Sequence, residues 1–402
     1  MITGRDFIFI SSIEWGFLWQ GHQEIASRLA AAGNRVLYIE NMGVRTPGLG
    51  DAGRIAGRLK NWARARRSKG ARQVAPGIHV CSPLVCPPFG PRWRRTLNRR
   101  IFLPGLKRMA QELGFRDPII WTYLPTDVSA DLIRLLSSSE SFVIYHSVAD
   151  FKLLTPQVAL LKKSELEVLS LSDVVLASCS QLARNARPAN DHVHLISHGV
   201  SLDAFPFADE LERKPAAPVE LENLASPLIG YVGGIHRHVD LELIREIAVR
   251  RPEWTWVLVG PVQVAVDRLS SLANIRILGA RAHHELVEYI RHFDVCTVPY
   301  ANTESTATVV PTKINEYLAV GRPVVATDLP TLREFNQEHQ MLSLAEPEPA
   351  EFIAAIEQAL ASAGNDSLAR QRRELAEQAD WSLRLEMISG IIEGHIANRR
   401  KL

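Results

Sequence analysis

The amino-acid sequence predicts an α/β protein with two domains, each built on a parallel β-sheet. Short apolar runs typical of buried strands alternate with amphipathic helical patterns, and this alternation occurs twice along the chain. With 402 residues the chain is long enough for two cores. The stretch from Phe205 to Pro227 holds four prolines among charged side chains, which is typical of a linker. We therefore expect a first domain at residues 1–206, a linker at 207–226 and a second domain at 227–380.

The first half opens with a strand–helix–strand pattern at residues 7–10, 23–32 and 35–40. Such a unit implies a right-handed crossover, and ligands of parallel sheets bind at the C-terminal ends of the strands. Glu14 and Trp15 lie in the loop after the first strand and are candidate ligand contacts. Trp15 could stack on a sugar ring or pack in the core. The sequence lacks G-x-G-x-x-G after this strand, which argues against a dinucleotide oxidoreductase.

Further strands are predicted at residues 118–123, 141–146, 173–178 and 193–197, with a helix at 158–171. His146 stands at the end of the second of these strands. It could face a ligand or serve as a structural histidine with local hydrogen bonds, and the sequence leaves both interpretations open.

A long basic stretch, with interleaved Trp and Ile, lies between the predicted strands at residues 35–40 and 118–123. No acidic residue lies between Asp51 and Glu112. The stretch fits an anionic membrane surface, nucleic acid phosphates or a solvated helical excursion. No nucleic-acid-binding module is recognisable, so we expect no nucleic acid partner. The basic residues are Arg54, Arg58, Lys60, Arg64, Arg66, Arg67, Lys69, Arg72, Arg92, Arg94, Arg95, Arg99 and Arg100.

Composition predicts a globular protein of the cytoplasm. The sequence is 46% hydrophobic and 22% charged, with a net charge of +2. The N-terminus lacks the apolar length of a signal peptide, and no apolar run is long enough to span a membrane. The four cysteines show no metal-binding spacing and indicate a reducing compartment.

The second half restarts with a strand at residues 228–232, followed at once by Gly233 and Gly234. Two glycines after a strand allow the backbone to approach a ligand closely. Arg237 follows and could pair with a diphosphate through its planar guanidinium, or it could be an exposed side chain on a plain turn. Asp240 is expected to cap the next helix. Further strands are predicted at residues 254–259, 275–279 and 294–299.

The most informative stretch spans residues 309–328, where a short helix precedes a buried strand at 323–326. Pro311 suits the first turn of the helix and Gly321 its end. The N-terminus of a helix attracts anions, and Lys313 adds a full charge beside Thr312. Glu316 lies on the same side of the helix and could accept hydrogen bonds from a sugar. The alternative is an ordinary surface Lys–Glu pair.

The run P-x-K-x-x-E-Y-x-A-x-G-x-P-V-V from Pro311 to Val325 resembles the nucleotide-sugar site of retaining glycosyltransferases, family 4-like (group 1), with the GT-B fold. This resemblance implies two Rossmann-like domains facing across a cleft, with residues 381–402 crossing back onto the first. It implies that Glu316 binds the ribose and that the loop at Gly233 and Gly234 faces the donor phosphates. The first domain would then bind the acceptor, and the second the donor.

One position departs from the pattern of this group. Many members carry a further glutamate eight residues before the ribose-binding one, and this position is Thr308 here. The nearest acid is Glu304. We expect Thr308 or Glu304 to contact the transferred sugar in place of that glutamate.

The predicted function is therefore metal-independent transfer of a sugar, with retention, from a nucleoside-diphosphate sugar, by the resemblance a UDP-sugar. No cofactor is expected. The catalytic candidates are Arg237, Lys313 and Glu316, and the donor-binding candidates are Gly233, Gly234, Pro311, Thr312, Thr308 and Glu304. On the acceptor side they are Glu14, Trp15 and His146. The resemblance suggests a glycan or lipid-linked acceptor, cell-envelope or exopolysaccharide synthesis, and docking of Arg54–Arg100 on the inner face of the plasma membrane. Two alternatives are a nucleotide-sugar epimerase or hydrolase and a non-catalytic membrane-associated subunit.

Overall fold

A computed structural model describes residues 1–40, 42, 70–207 and 217–399. These residues form two compact units. Unit 1 comprises Met1–Ser197 and Arg384–Leu402, and unit 2 comprises His198–Leu383. The basic residues from Arg54 to Lys69, and much of the predicted linker, lie outside the described residues.

Unit 1 is built on an eight-stranded sheet with the order β3-β4-β2-β1-β5-β6-β7-β8. All neighbours pair in parallel except β3 and β4, which form an antiparallel hairpin at the edge. The strands are β1 (Asp6–Ile10), β2 (Arg35–Ile39), β3 (Arg72–Ala75), β4 (Ile78–Cys81), β5 (Ile119–Thr122), β6 (Phe142–Ser147), β7 (Val174–Ala177) and β8 (Val193–Leu195).

Helices pack against this sheet, and the central strands β1, β5, β6 and β7 are almost wholly buried. The helices are α1 (Gly21–Ala31), α2 (Arg92–Leu97), α3 (Leu103–Glu112), α4 (Asp127–Leu136), α5 (Val158–Leu171) and α6 (Ser180–Ala186). A π-helical turn, Asn98–Phe102, joins α2 to α3, and a 3₁₀ turn, Phe151–Leu154, precedes α5.

Unit 2 contains a six-stranded parallel sheet with the order β11-β10-β9-β12-β13-β14. Its strands are β9 (Leu228–Val232), β10 (Thr255–Val259), β11 (Ile275–Gly279), β12 (Val295–Val298), β13 (Val324–Thr327) and β14 (Leu342–Ala345). Its helices are α7 (Leu241–Arg250), α8 (Asp267–Ser270), α9 (Leu286–Ile290), α10 (Lys313–Ala319), α11 (Pro330–His339), α12 (Pro349–Ala361) and α13 (Asp366–Glu377). Single 3₁₀ turns lie at Val219–Leu221, His283–Glu285 and Glu304–Thr306.

The predicted α/β class is confirmed, and the predicted parallel strands are present with shifts of a residue or two at their ends. The sequence did not reveal the hairpin of β3 and β4 or the edge strand β14. Edge strands are half-exposed, as the side chains of β3 are. They therefore lack the continuous apolar run that identifies a buried strand.

The last helix, α14 (Trp381–Arg399), begins in unit 2 and belongs to unit 1 from Arg384 onward. There its Ser389 hydroxyl accepts the N–H of Ile2 at 3.0 Å, and the Arg399 guanidinium donates to the Ser141 carbonyl at 3.0 Å. The predicted return of the C-terminal helix to the first domain is therefore present.

Unit 1 ends at Ser197, earlier than the predicted boundary at residue 206. The reason is that the following residues pack in unit 2. Phe205 is fully buried in the core of unit 2, and the Val200 N–H donates to the Ala379 carbonyl at 2.9 Å.

Asp131 on α4 anchors the described part of the basic stretch to unit 1. Its buried carboxylate accepts hydrogen bonds from Arg95 at 2.7 and 2.8 Å and from Arg99 at 2.5 Å. Arg95 also bonds to Glu167. Burial by itself would raise the pKa of Asp131, but the hydrogen bonds and charges of the two arginines outweigh it and lower the pKa. Two of the predicted basic residues are thus bound to acids within the protein.

We expect Asp131→Asn to lower the free energy of unfolding by about 1–3 kcal/mol, because it leaves two guanidinium groups without their carboxylate. Urea denaturation at pH 7 measures this change. Asp191→Asn, at an exposed position, is the control. Because the folded pKa is lowered, the difference should shrink as the pH falls below about 3.9, the unfolded value, and vanish below the folded pKa. An unchanged stability at pH 7 would contradict the anchoring role.

Candidate active site

Three glycine loops meet at the C-terminal ends of β9, β10 and β11. The Gly233 N–H donates to the Val259 carbonyl and the Gly260 N–H to the Gly279 carbonyl, both at 2.8 Å. A Cβ added to Gly260 would overlap the Gly233 carbonyl, and the φ of Gly260 is +153°. Only glycine suits this backbone conformation and this close approach. The loop that starts at Gly233 therefore packs directly against the backbone of Gly260.

Two buried tyrosines hold this loop from the protein side. The Tyr231 hydroxyl donates to the Gly234 carbonyl at 2.8 Å. The Tyr317 hydroxyl, on α10, accepts the Val232 N–H at 2.8 Å. Burial raises the pKa of both phenols well above the usual value, so both remain neutral hydrogen-bonding groups. The loop and α10 are thereby fixed to each other.

Lys313, the first residue of α10, lies buried against the glycine loop. Its ammonium donates to the Tyr300 hydroxyl at 2.7 Å and lies 4.8 and 5.0 Å from the ring centres of Tyr231 and Tyr300. A Cβ added to Gly233 would lie 2.8 Å from its Cε. Among the described residues, no carboxylate lies within ion-pair distance of this ammonium. Cation–π contacts compensate part of the cost of burying the charge, and an anionic ligand could compensate the rest.

His236 and His238 line the same loop near Lys313. Their rings pack edge to face at 5.0 Å, and both lie about 6 Å from the Tyr300 ring. Burial, followed by the positive charges of Lys313, His238 and Arg237, lowers the pKa of His236 to about 4. The pKa of His238 is lowered for similar reasons. Both imidazoles are therefore neutral at pH 7 and leave Lys313 and the exposed Arg237 as the positive charges of the loop.

Glu316 lies one turn along α10 from Lys313, and its carboxylate is 3.3 Å from the His283 Nε2. The His283 ring packs edge-on against the buried ring of Phe205 at 5.2 Å. Lys313 bonds to Tyr300 and Glu316 to His283, so the alternative of an ordinary surface Lys–Glu pair is wrong. The two groups have separate partners that hold each of them in place.

The first turn of α10 offers fewer amides to an anion than the sequence predicted. The N–H groups of Ile314 and Asn315 already donate to the carbonyls of Pro311 and Thr312 at 3.2 Å. Pro311 is buried, whereas Thr312 is exposed. The side chain of Lys313 is therefore the main feature of this turn that can attract an anion.

The remaining second-half candidates flank this turn. Thr308 is buried, and Glu304 is exposed in a 3₁₀ turn. The contacts of Thr308 or Glu304 with a sugar stay predictions.

The expected cap of α7 is present, because the Asp240 carboxylate accepts the Leu243 N–H at 2.9 Å at the start of this helix.

The acceptor-side candidates lie in unit 1 at the C-terminal ends of β1 and β6. The backbone N–H of Trp15 donates to the buried Glu40 carboxylate at 2.6 Å, and the Trp15 ring packs edge-on against the Tyr38 ring with 5.1 Å between ring centres. Glu14, beside it in the loop, is half-buried. His146 is buried next to Tyr123, with ring centres 5.1 Å apart.

Sequence reasoning missed two polar residues in this region. Glu40 directly follows β2 and bonds to the Ser82 hydroxyl as well as to the backbone N–H of Trp15. His22, on α1, bonds through Nδ1 to the Ser11 hydroxyl at 2.8 Å and stacks on Tyr123 at 3.5 Å. A polar residue directly after a buried strand was a signal for Glu40. His22 gave none, since its partners become neighbours only in the folded chain.

Across the described ranges, no group of three or more His, Cys, Asp or Glu side chains is arranged to hold a metal ion. Independence from metal stays a prediction. Within the same ranges, no helix combines the length and the apolar character that crossing a bilayer requires.

Comparison with known proteins identifies the fold and the domain that carries these loops. Residues 226–362 match the family model described as glycosyl transferases group 1. This region of the chain is similar to the domain of the group 1 glycosyltransferases. It includes the loop of Gly233, Gly234 and Arg237, as well as Lys313 and Glu316, so the resemblance to group 1 glycosyltransferases is confirmed. Retention and the likeness to family 4 stay predictions.

A Bacillus subtilis protein named as the teichuronic acid biosynthesis glycosyltransferase TuaH is 27% identical over 230 residues. The match covers 55% of this chain and 57% of the relative, little more than half of either protein.

Solved structures share the fold over nearly the whole chain. Sucrose-phosphate synthase from Thermosynechococcus elongatus has a TM-score of 0.69 and 18% identity, covering 96% of this chain and 98% of that one. Anabaena HepE, in complex with UDP and glucose, has a TM-score of 0.63 and 14% identity, covering 97% and 99%. The fold is therefore GT-B, with two Rossmann-like parallel-sheet domains.

Proposed function

We propose that this protein is a retaining glycosyltransferase that moves a sugar from a UDP-sugar to a glycan or lipid-linked acceptor. The observation that carries the proposal is the buried Lys313 ammonium. It lies against the glycine loop of a group 1 glycosyltransferase domain and has no carboxylate partner among the described residues. A diphosphate is the anion that such a domain would place there.

The chemistry requires stabilisation of the negative charge that develops on the leaving diphosphate. Lys313 is held by the Tyr300 hydroxyl and two aromatic rings, so its charge is fixed in position before the donor binds. A charge fixed in this way stabilises a transition state without further reorganisation. Arg237, exposed on the same loop, adds a second positive charge with a planar hydrogen-bonding fork. These two groups can perform the task without a divalent metal.

Glu316 is proposed to bind the ribose of the donor. Its carboxylate is half-buried and oriented by His283, and it can accept hydrogen bonds from two neighbouring hydroxyl groups. Uridine is proposed as the base because Anabaena HepE, which shares the fold, was solved with UDP. The name of the Bacillus subtilis relative supports a role in cell-envelope polysaccharide synthesis.

The acceptor is proposed to bind to unit 1, at the C-terminal ends of its strands. Trp15 and Glu14 occupy the loop after β1, and His146 lies on β6. Because the N–H of Trp15 is held by Glu40 and its ring packs against Tyr38, this loop is pre-organised.

A nucleotide-binding panel tests the proposed donor site. UDP, GDP, ADP and TDP are added to wild type and to Glu316→Ala, and the thermal shift is measured. A ligand at 100 times its Kd stabilises the folded state by about 2.7 kcal/mol, which is readable. We expect UDP alone to stabilise wild type strongly and Glu316→Ala to lose most of that shift. Glu334→Ala, an exposed glutamate on α11 of the same unit, is the matched control.

The outcomes separate the proposed function from its alternatives. Stabilisation by UDP together with transfer of sugar to an acceptor supports the transferase. Turnover of UDP-sugars without any acceptor would indicate a hydrolase or epimerase. UDP binding with no turnover would indicate a non-catalytic subunit. If none of the four nucleotides stabilises the wild-type protein, the proposed donor site is wrong.

Docking on an anionic membrane surface is part of the proposal, because the described basic segment also exposes apolar side chains. Trp93 and Ile101 are 60% and 61% exposed, and Arg94 lies 5.5 Å from the Trp93 ring centre. Lipid-facing anchors of this kind act together with basic residues. We expect Trp93→Ser/Ile101→Ser to reduce co-sedimentation with phosphatidylglycerol vesicles.

Vesicles of pure phosphatidylcholine have no net charge and test whether the anionic headgroup is needed. Wild type should bind to them only weakly. Val249→Ser, at an apolar position that is 53% exposed in unit 2, is the control variant. Equal sedimentation of the double variant and wild type would contradict docking through this segment.

A further inference from the structure

Unit 2 contains a cavity of about 460 Å³ that the proposed function does not use. It lies between the edge strand β14 and the helices α12 and α13, next to the residues where β13 and β14 begin. The glycine loops and Lys313 lie at the opposite, C-terminal ends of the strands. The cavity is therefore separate from the candidate active site.

Arg372, on α13, lines this cavity and is only 6% exposed. One of its guanidinium nitrogens donates to the Gly321 carbonyl at 3.2 Å. Its Nε is buried and has no hydrogen-bond partner among the described residues. No carboxylate of the described residues lies within ion-pair distance of the guanidinium. Arg372 is therefore a buried cation whose Nε–H has no partner among the described residues.

A second buried guanidinium, that of Arg322, lies near Arg372 but does not line the cavity. Arg322 donates to the Arg291 carbonyl, and its Nε is also buried without a partner among the described residues. Burial, and then the charge of Arg322, lowers the pKa of Arg372, with an opposing effect of the Cys296 thiol. Cations buried in this way are costly unless they are paired with an anion.

Capping of α10 explains only part of this arrangement. The Gly321 carbonyl follows the last turn of α10, where a cation interacts favourably with the helix dipole. This accounts for the bonded nitrogen of Arg372. It leaves unexplained the unpartnered Nε and the open space that Arg372 lines.

The rest of the cavity wall suits a small polar organic molecule. Gln340, Ser343, Gln358 and Ser362 supply amide and hydroxyl groups, and Leu368 contributes an apolar surface. The volume falls in the range of small-molecule sites. The planar fork of an arginine matches the oxygen atoms of a phosphate or carboxylate.

We propose that this cavity binds a small organic anion, with its phosphate or carboxylate on Arg372 and its hydroxyl groups on the surrounding amides and hydroxyls. The ligand would have roughly the size of a sugar phosphate. The site is independent of the donor site in both position and residues.

The test measures binding of three probes by thermal shift and by equilibrium dialysis in a buffer free of phosphate and sulfate. The probes are glucose 6-phosphate, inorganic phosphate and citrate. We expect wild type to bind at least one of them, and Arg372→Gln to lose that binding. Arg370→Gln, at an exposed position on the same helix, should bind like wild type.

Two further variants keep the result interpretable. Ser343→Phe fills the cavity from the edge strand without removing the bond between Arg372 and Gly321, and it should also abolish binding. Lys313→Met should leave binding intact, because the active-site charge is elsewhere. Preference for glucose 6-phosphate or for citrate assigns the anion as a phosphate or a carboxylate, and either supports the proposal. Absence of binding by wild type, or equal binding by Arg372→Gln, overturns it.

Discussion

Replacing Lys313 with methionine is expected to lower kcat/KM of sugar transfer by about 10²- to 10³-fold, the range for removal of one pre-organised electrostatic group. Methionine keeps most of the length of the side chain and removes only its charge. The ammonium is fixed by the Tyr300 hydroxyl at 2.7 Å and by two aromatic rings. Arg237 is exposed on the same loop, so it should replace only part of this effect.

The same substitution should leave the unliganded protein at least as stable as wild type. A buried cation without a carboxylate partner is costly, and its replacement by an apolar side chain removes that cost. Stabilisation by UDP should fall together with the activity. Lower activity with unchanged or higher stability indicates loss of a functional charge and not loss of the fold. If Lys313 had only a structural role, its replacement would lower the stability.

Two variants complete this experiment. Lys163→Met, at an exposed position on α5, should retain full activity. Tyr300→Phe keeps the ring but removes the hydroxyl that accepts from Lys313, and it should cost about 1 kcal/mol of transition-state stabilisation, a loss of roughly 5-fold. Wild-type kcat/KM in Lys313→Met would overturn the catalytic role of this residue.

The sequence predicted the two parallel sheets because their central strands are buried on both faces and therefore consist of continuous apolar residues. It made Lys313 and Glu316 candidates for the site because the whole stretch from Pro311 to Val325 resembles a known motif. Their partners could not be predicted in this way. Tyr300 and His283 lie in other segments of the chain, and only the folded sheet brings them to α10.

Two features, the strand β14 and the hydrogen bonding at the start of α10, were missed or wrongly predicted for a related reason. The edge strand β14 lies among charged residues, and its apolar side chains gave no distinct pattern. The helix N-terminus at Thr312 was expected to offer several free amides. Hydrogen bonds of the 3₁₀ type within the first turn use two of them, and such local geometry is not encoded in residue type.

Gly260→Ala should destabilise unit 2 by about 3 kcal/mol, the sum of a strained backbone and a local overlap. The φ of Gly260 is +153°, and a Cβ at this position would overlap the Gly233 carbonyl. The strain acts on the loop that supports Lys313, so UDP binding should also be lost. Urea denaturation and titration calorimetry with UDP measure the two effects.

Gly364→Ala is the matched control, because a Cβ there meets no atom within 4 Å and the backbone needs no positive φ. It should change neither property. Unchanged stability and unchanged affinity for UDP in Gly260→Ala would contradict this prediction. Gly233 would then be able to move without consequence, and its loop would not be the rigid support that the proposed mechanism requires. A loss of affinity larger than the loss of stability explains would show that the position of the Gly233 loop itself determines donor binding.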